Sequence, residues 1–189
     1  SSGDLLFGGV PGVFTSTEGS KSEAIYGELS YDISEKLTVS LGSRYYKDDR
    51  TYESAFSAGS LSGSFDKISS SVKVSYAATD NSNIYLNISE GFRSGGFNNN
   101  GVTFEPEELI TYDLGAKATF MDGRLGVDGA IFFSDYKDFQ ALETVAVDST
   151  LTEVTGNPGE VEMEGLELSI QFKVVDNLNV GLSGGVVNT

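Results

Sequence analysis

The sequence predicts an all-β protein, an antiparallel up-and-down meander of about eight strands, and three observations carry that prediction. Apolar and polar residues alternate with the period of two that a strand imposes, while helical spacing is absent. Connections between the alternating runs are short and long by turns. One face of each run is free of charge over the length that a tilted strand needs to cross a bilayer, about 9–11 residues.

Taken in order, the first run places Ile25, Leu29 and Tyr31 with Gly27 on one face, and Tyr26, Glu28, Ser30 and Asp32 on the other. After "SEK", the second sets Val39, Leu41 and Tyr45 against Thr38, Ser40, Arg44 and Tyr46. Val72, Val74 and Tyr76 mark the third, and Ile84, Leu86 and Ile88 the fourth. The fifth carries Ile110, Tyr112, Leu114, Ala116, Ala118 and Phe120; the sixth carries Leu125, Val127, Ile131 and Phe133. Leu166, Leu168, Ile170 and Phe172 form the seventh, and Leu178, Val180 and Leu182 the eighth. The expected hairpins cover about 22–53, 68–93, 107–139 and 160–189.

Tight turns are expected at 34–36, at "TDNSN", at "MDGR" and at "VDN", all rich in residues that turns favour. Long polar connections are expected at 47–70, 92–107 and 137–160. Short turns at one end and long loops at the other are the rule for outer-membrane barrels. Charges of the apolar parity appear only further out, at Glu90, Asp135 and Glu164. Tyr31, Tyr76, Phe120 and Phe172 stand beside the short turns, and Tyr45 and Phe133 near the long ones, as two aromatic girdles would. The opposite face mixes Glu28, Arg44, Lys73, Asp113, Lys117, Asp128 and Glu167 with Ser, Thr, Asn and Gly. Such a face suits a wet lumen, because unpaired charges in a dry core are expensive.

Composition removes other classes of function. Among 189 residues there is no His, Cys or Trp, so the usual zinc sites, Ser-His-Asp triads and thiol nucleophiles are missing. No carboxylate pair stands out as a glycosidase site. The expectation is no enzyme, no cofactor and no metal. With 28 acidic against 12 basic residues and a net charge of -16, nucleic acid is not an expected partner. No apolar run reaches about 18 residues, so no transmembrane helix is predicted. "SSGDLLFGGV" lacks the basic start of a signal peptide, which implies a removed leader or a piece of a longer chain. Two alternatives remain at this point. A complete eight-stranded barrel would need larger residues than Ser, Gly and Thr to fill its interior. A secreted acidic β-rich surface protein would need repeats or calcium-ligand spacing, which "KDDRTYE" and "TDNSN" lack.

Several ordered motifs resemble the TonB-dependent receptors of Gram-negative outer membranes. "AIYGELSYDISEKLTVSLGSRYYKDD" is similar to the family's hairpin with a Gly-x-Arg-Tyr strand, here Gly42, Arg44 and Tyr45. "NIYLNISEGFRSGGFN" resembles its Gly-Phe-Arg-x-Gly-Gly-Phe-Asn segment. "PEELITYDLGAKATFMDGRLGVDGAIFFSDYKDFQ" matches consecutive barrel strands, with Asp113 where the family usually has Glu. "NPGEVEMEGLELSIQF" resembles the Asn-x-Gly to Gly-x-Glu strand through Asn157, Gly159, Gly165 and Glu167.

The resemblance implies a transmembrane barrel of about 22 strands with a plugged lumen. Residues 1–189 would be part of that barrel, without the plug, and the ending "GLSGGVVNT" lacks the family's terminal aromatic. Implied partners are outer-membrane lipid, the remaining barrel strands and plug domain, the TonB complex reached through an N-terminal region, and a scarce nutrient such as a ferric siderophore. The implied location is the cell outer membrane. Family ligands meet loop tips and the upper lumen, so the candidate ligand contacts are Tyr46, Arg93, Phe97, Asn98 and Asn99. Four of these lie in "SEGFRSGGFNNNG", which is read as a strand crown entering an extracellular loop. No helix follows its glycines, so it is not a phosphate-binding loop. The acidic residues at 137–160, among them Asp138, Glu143, Asp148, Glu153 and Glu160, have two readings, one that disfavours anionic ferric chelates and the commoner one of plain loop solvation.

Overall fold

A strand that alternates apolar and polar residues buries only one kind of surface, so its neighbours must keep the same phase. The computed structural model describes residues 2–7, 10–54, 59–147 and 150–189, and shows that phase kept across a whole sheet. The strands are β1 (Ser2–Phe7), β2 (Val10–Ser34), β3 (Leu37–Ser54), β4 (Ser60–Thr79), β5 (Ser82–Arg93), β6 (Gly96–Phe97) and β7 (Thr103–Phe104). They continue as β8 (Glu107–Phe120), β9 (Leu125–Lys137), β10 (Ala141–Val147), β11 (Thr150–Gly156), β12 (Val161–Val175) and β13 (Leu178–Asn188). Nine of them form one antiparallel sheet in the order β1-β2-β3-β4-β5-β8-β9-β12-β13, while β6-β7 and β10-β11 are separate two-stranded pairs.

Register converts the alternation into rows. Tyr31 pairs with Val39, Val39 with Val74, Val74 with Leu86 and Leu86 with Leu114. Leu114 then pairs with Ile131, Ile131 with Leu166 and Leu166 with Val186. The row is apolar from end to end, and most of its members are open to the surroundings, with Val39 and Val74 half-buried: Tyr31 is 71 % exposed, Leu114 47 % and Val186 71 %. Leaving such side chains in water costs roughly 1.5–3 kcal/mol each. One row of this kind therefore rivals the ~5–15 kcal/mol that holds a whole domain folded. Among the described residues the only buried hydrophobic side chains are Tyr52 and Val154, both outside the apolar rows. A sandwich would bury these rows in a core; among the described residues no second layer covers them, and hydrocarbon is the medium that suits the face.

The other face pairs polar groups across strands. Ser30 and Ser40 hydroxyls lie 2.7 Å apart, Asn87 donates to Asp113 at 3.0 Å, and Ser169 meets Ser183 at 3.0 Å. Aromatic rings also lie over glycines opposite them: Tyr85 covers Gly115 and Phe132 covers Gly165, leaving no room for a Cβ at either glycine. All four tight turns are present. In three of them one extra residue shifts the register, between Asp32 and Ser34, Ala77 and Thr79, and Lys173 and Val175. The fourth instead takes Met121, Asp122 and Gly123 through the left-handed region, at φ of 56°, 54° and 83°.

The expected long polar connections are corrected. Residues 47–70 are mostly strand, because β3 and β4 stay paired up to Glu53 and Ser60. Lys47 and Asp49 share the parity of Tyr45, so the apolar pattern stops there while the backbone ladder continues in water. Likewise 137–160 holds the β10-β11 hairpin, and 92–107 the short β6-β7 pair. A closed eight-stranded barrel is also set aside, since β13 pairs with β12 alone among the described residues and the sheet stays open.

The two faces respond differently to charge. In the assembled barrel, Leu114→Arg should destabilise by about 2–4 kcal/mol, the cost of a cation at the bilayer midplane. Asn87→Arg, facing Asp113 on the polar side, should stay within about 0.5 kcal/mol. Unfolding by urea in lipid vesicles measures both, and equal losses would contradict the assignment of faces.

Candidate functional site

Above the membrane the strands no longer need one another. The β4-β5 ladder ends at Ser71 and Ser89, whereas β3-β4 and β5-β8 each continue. Side chains bridge the split. The Glu90 carboxylate accepts the Ser70 N–H at 2.8 Å, where the next ladder bond would have been. Lys67 reaches Glu108 at 2.6 Å.

Residues 94–105 fold onto the tall β3-β4 pair. Phe97 stacks on Tyr52 with centroids 6.5 Å apart, and the Tyr52 hydroxyl donates to Asn99 Oδ1 at 3.1 Å. Gly95 is required here, since a Cβ would lie 2.5 Å from the Phe104 carbonyl oxygen and 2.7 Å from the Phe65 ring. The β10-β11 hairpin closes over the other side through amides. Asn98 donates Nδ2–H to the Thr155 carbonyl at 2.8 Å and accepts the Thr155 N–H at 2.7 Å. Asn157 treats Glu105 the same way, accepting its N–H at 2.8 Å and donating to its carbonyl at 3.1 Å. Gln140 donates to the carbonyls of Ser94 and Glu105, both at 3.0 Å. Asn98 and Asn157 thus copy the two-way bonding of a β-ladder between segments that no ladder joins.

Asp48 fastens the stack to the wall. Only 1 % exposed, it accepts Ser20 Oγ–H at 2.6 Å and Arg50 Nε–H at 2.7 Å. Burial pushes its carboxyl up, but hydrogen bonds from Ser20, Arg50 and Ser94 and the Arg50 charge outweigh that, so the pKa is lowered.

Beside this stack opens a concavity of about 830 Å³, lined by Arg44, Arg50, Arg93, Tyr46, Glu28 and Glu90 among serines and glycines. Arg44 stacks on Tyr46 at 5.1 Å, and Tyr46 meets Phe92 edge-on at 6.1 Å. Arg50 is committed to Asp48. No ion pair among the described residues holds Arg44 or Arg93. Of the residues singled out from sequence, Tyr46 and Arg93 therefore line one surface. Phe97, Asn98 and Asn99 instead join the folded loops to one another. Arg50 and Asp48 were missed. They share the parity of Arg44 and Tyr46, so extending the second strand past residue 47 would have placed them on the same face.

Because the folded pKa of Asp48 is lowered, its contribution is fully present above the ordinary carboxyl value of 3.8 and is lost as pH falls through the folded value. Asp48→Asn should have the same effect at neutral pH, raising hydrogen exchange at the Asn98 and Gly101 amides about ten-fold, the loss of one charge-assisted bond. Exchange in β8 should not change. Unaltered exchange at Asn98 and Gly101 would contradict the fastening role.

Residues 2–188 match the family model described as TonB dependent receptor-like, beta-barrel. The chain is 28% identical over 177 residues to a probable TonB-dependent siderophore receptor, PiuA, of Acinetobacter baumannii, covering 85% of this chain and 23% of that protein. It is 22% identical over 180 residues to the pesticin receptor of Yersinia enterocolitica, covering 88% and 26%. It thus spans about a quarter of the length of the curated relatives it matches. The fold is that of the ferric yersiniabactin uptake receptor FyuA from Yersinia pestis, with a TM-score of 0.76 at 19% identity over 98% of this chain and 29% of that one. The crystal structure of PiuA superposes with a TM-score of 0.71 at 20% identity, covering 94% and 26%. The chain belongs to the TonB-dependent receptors, as part of their outer-membrane β-barrel.

Proposed function

We propose that this chain supplies part of the wall and the outer rim of a receptor that takes up a scarce nutrient carried as an anionic chelate, such as a ferric siderophore. The observation that carries this reading is the concavity where Arg44 and Arg93 stand without an ion pair among the described residues, while Arg50 beside them is paired with Asp48. Guanidinium groups without a carboxylate partner hold carboxylate or catecholate oxygens through paired N–H donors, and here they do so beside Glu28 and Glu90, so the recognition rests on placed donors rather than on net charge. Relatives named as siderophore receptors support the ligand class. Tyr46 adds an aromatic surface stacked under Arg44. Phe97, Asn98 and Asn99 act on the same ligand indirectly, by holding the loops that border the concavity.

Uptake through this wall proceeds with the plug domain filling the lumen and the TonB complex drawing on it from the periplasm. The polar face, with Asp113, Lys117, Asp128 and Glu167, is the surface such a plug meets.

The test is equilibrium binding of a ferric chelate to the intact receptor. Arg93→Ala and Arg44→Ala should each weaken binding about ten-fold, the worth of one charge-assisted contact. Arg93→Lys should recover part of the loss, and the wild-type affinity should fall as salt rises. Unchanged affinity in both alanine variants would overturn the ligand-facing role.

A further inference from the structure

The short-turn end of the sheet holds an exposed cation that the rim does not use. Arg124 ends the Met121–Arg124 turn. Its guanidinium stands 5.4 Å from the Phe172 ring centroid, with Nε donating to the Lys173 carbonyl at 3.3 Å and Nη2 to the Val174 carbonyl at 3.2 Å. Phe172 is in register with Leu125, and Leu125 with Phe120, so these three form the last row of the lipid face. Among the described residues no carboxylate pairs with Arg124: Asp176 is taken by Lys173 at 2.9 Å, and Asp122, in the same turn, makes no ion pair.

A cation held against the last aromatic row sits where hydrocarbon gives way to headgroups. The ring and the two carbonyls fix its plane, and its remaining N–H groups present the fork that matches a phosphate. Short turns of such barrels face the periplasm, so the adjoining leaflet is phospholipid. We propose that Arg124, backed by Phe172 and Phe120, binds the phosphodiester of a periplasmic-leaflet phospholipid and favours a net-anionic headgroup.

The test uses the intact receptor in vesicles, with a fluorophore attached at Val174→Cys and spin-labelled lipids as quenchers. Phosphatidylglycerol should quench with about a five-fold preference over phosphatidylcholine, the effect of one basic side chain at an anionic surface. Arg124→Gln should bring that preference to unity, and Arg124→Lys should keep part of it. No preference in the wild type, or the same preference in Arg124→Gln, would overturn the proposal. Millimolar inorganic phosphate should leave the preference intact, and its loss would assign the site to a free anion and overturn the lipid assignment. Quenching by neither lipid would contradict the lipid-facing position of β12 itself, a failure distinct from that of the headgroup site.

Discussion

In hydrocarbon a peptide group has no hydrogen-bond partner except another peptide group, and the rest of this structure depends on that constraint. It forces each membrane-crossing segment into an unbroken ladder, which fixes the register, which in turn aligns apolar residues into rows such as Tyr31 to Val186. Once the outer face is given to lipid, the inner face must take every charge the segment carries. Lys117 and Asp128 accordingly pair at 2.9 Å across neighbouring strands. The Phe132 and Tyr85 rings rest on facing glycines, filling their own side without a second layer.

Where water returns, the constraint lifts and the sheet changes character. Strands β4 and β5 part at Ser71 and Ser89, and side chains take over the bonding that peptide groups supplied below. Glu90 replaces a ladder bond, Asn98 and Asn157 imitate ladder pairs, and Asp48 gathers groups from the β2 strand and the folded loop. Among the described residues, polar side chains such as Asp48, Ser94 and Gln140 are buried along with Tyr52, while the apolar rows are surface. The split also leaves room for the concavity, because the wall no longer runs continuously past Arg44 and Arg93.

This division explains what could be read from the sequence. Ile84, Leu86 and Ile88 announce a strand because lipid on one side and water on the other demand alternation. Past Tyr46 the outer side of β3 meets water at Lys47 and Asp49 while the inner side carries Asp48 and Tyr52 under the folded loop, so the apolar alternation ends and a continuing strand looks like a polar loop. The β10-β11 hairpin was hidden for the same reason. Tyr46 and Arg93 were recognisable as rim residues from their place just beyond the apolar run. The role of Asn98 was not, since its partner Thr155 is 57 positions away and the bond is to backbone, which has no sequence signature. Gly95 was visible as a glycine but not as a requirement, because the atoms that exclude a Cβ belong to Phe104 and Phe65.

The central claim is that the apolar rows face lipid and the alternate residues face water. Nitroxide side chains placed singly at Ile84, Tyr85, Leu86, Asn87 and Ile88 of the intact receptor in lipid vesicles test it directly, by relaxation with oxygen and with a water-soluble nickel chelate. The account predicts oxygen dominance at 84, 86 and 88 and nickel dominance at 85 and 87. A flat profile, or the opposite phase, would contradict it.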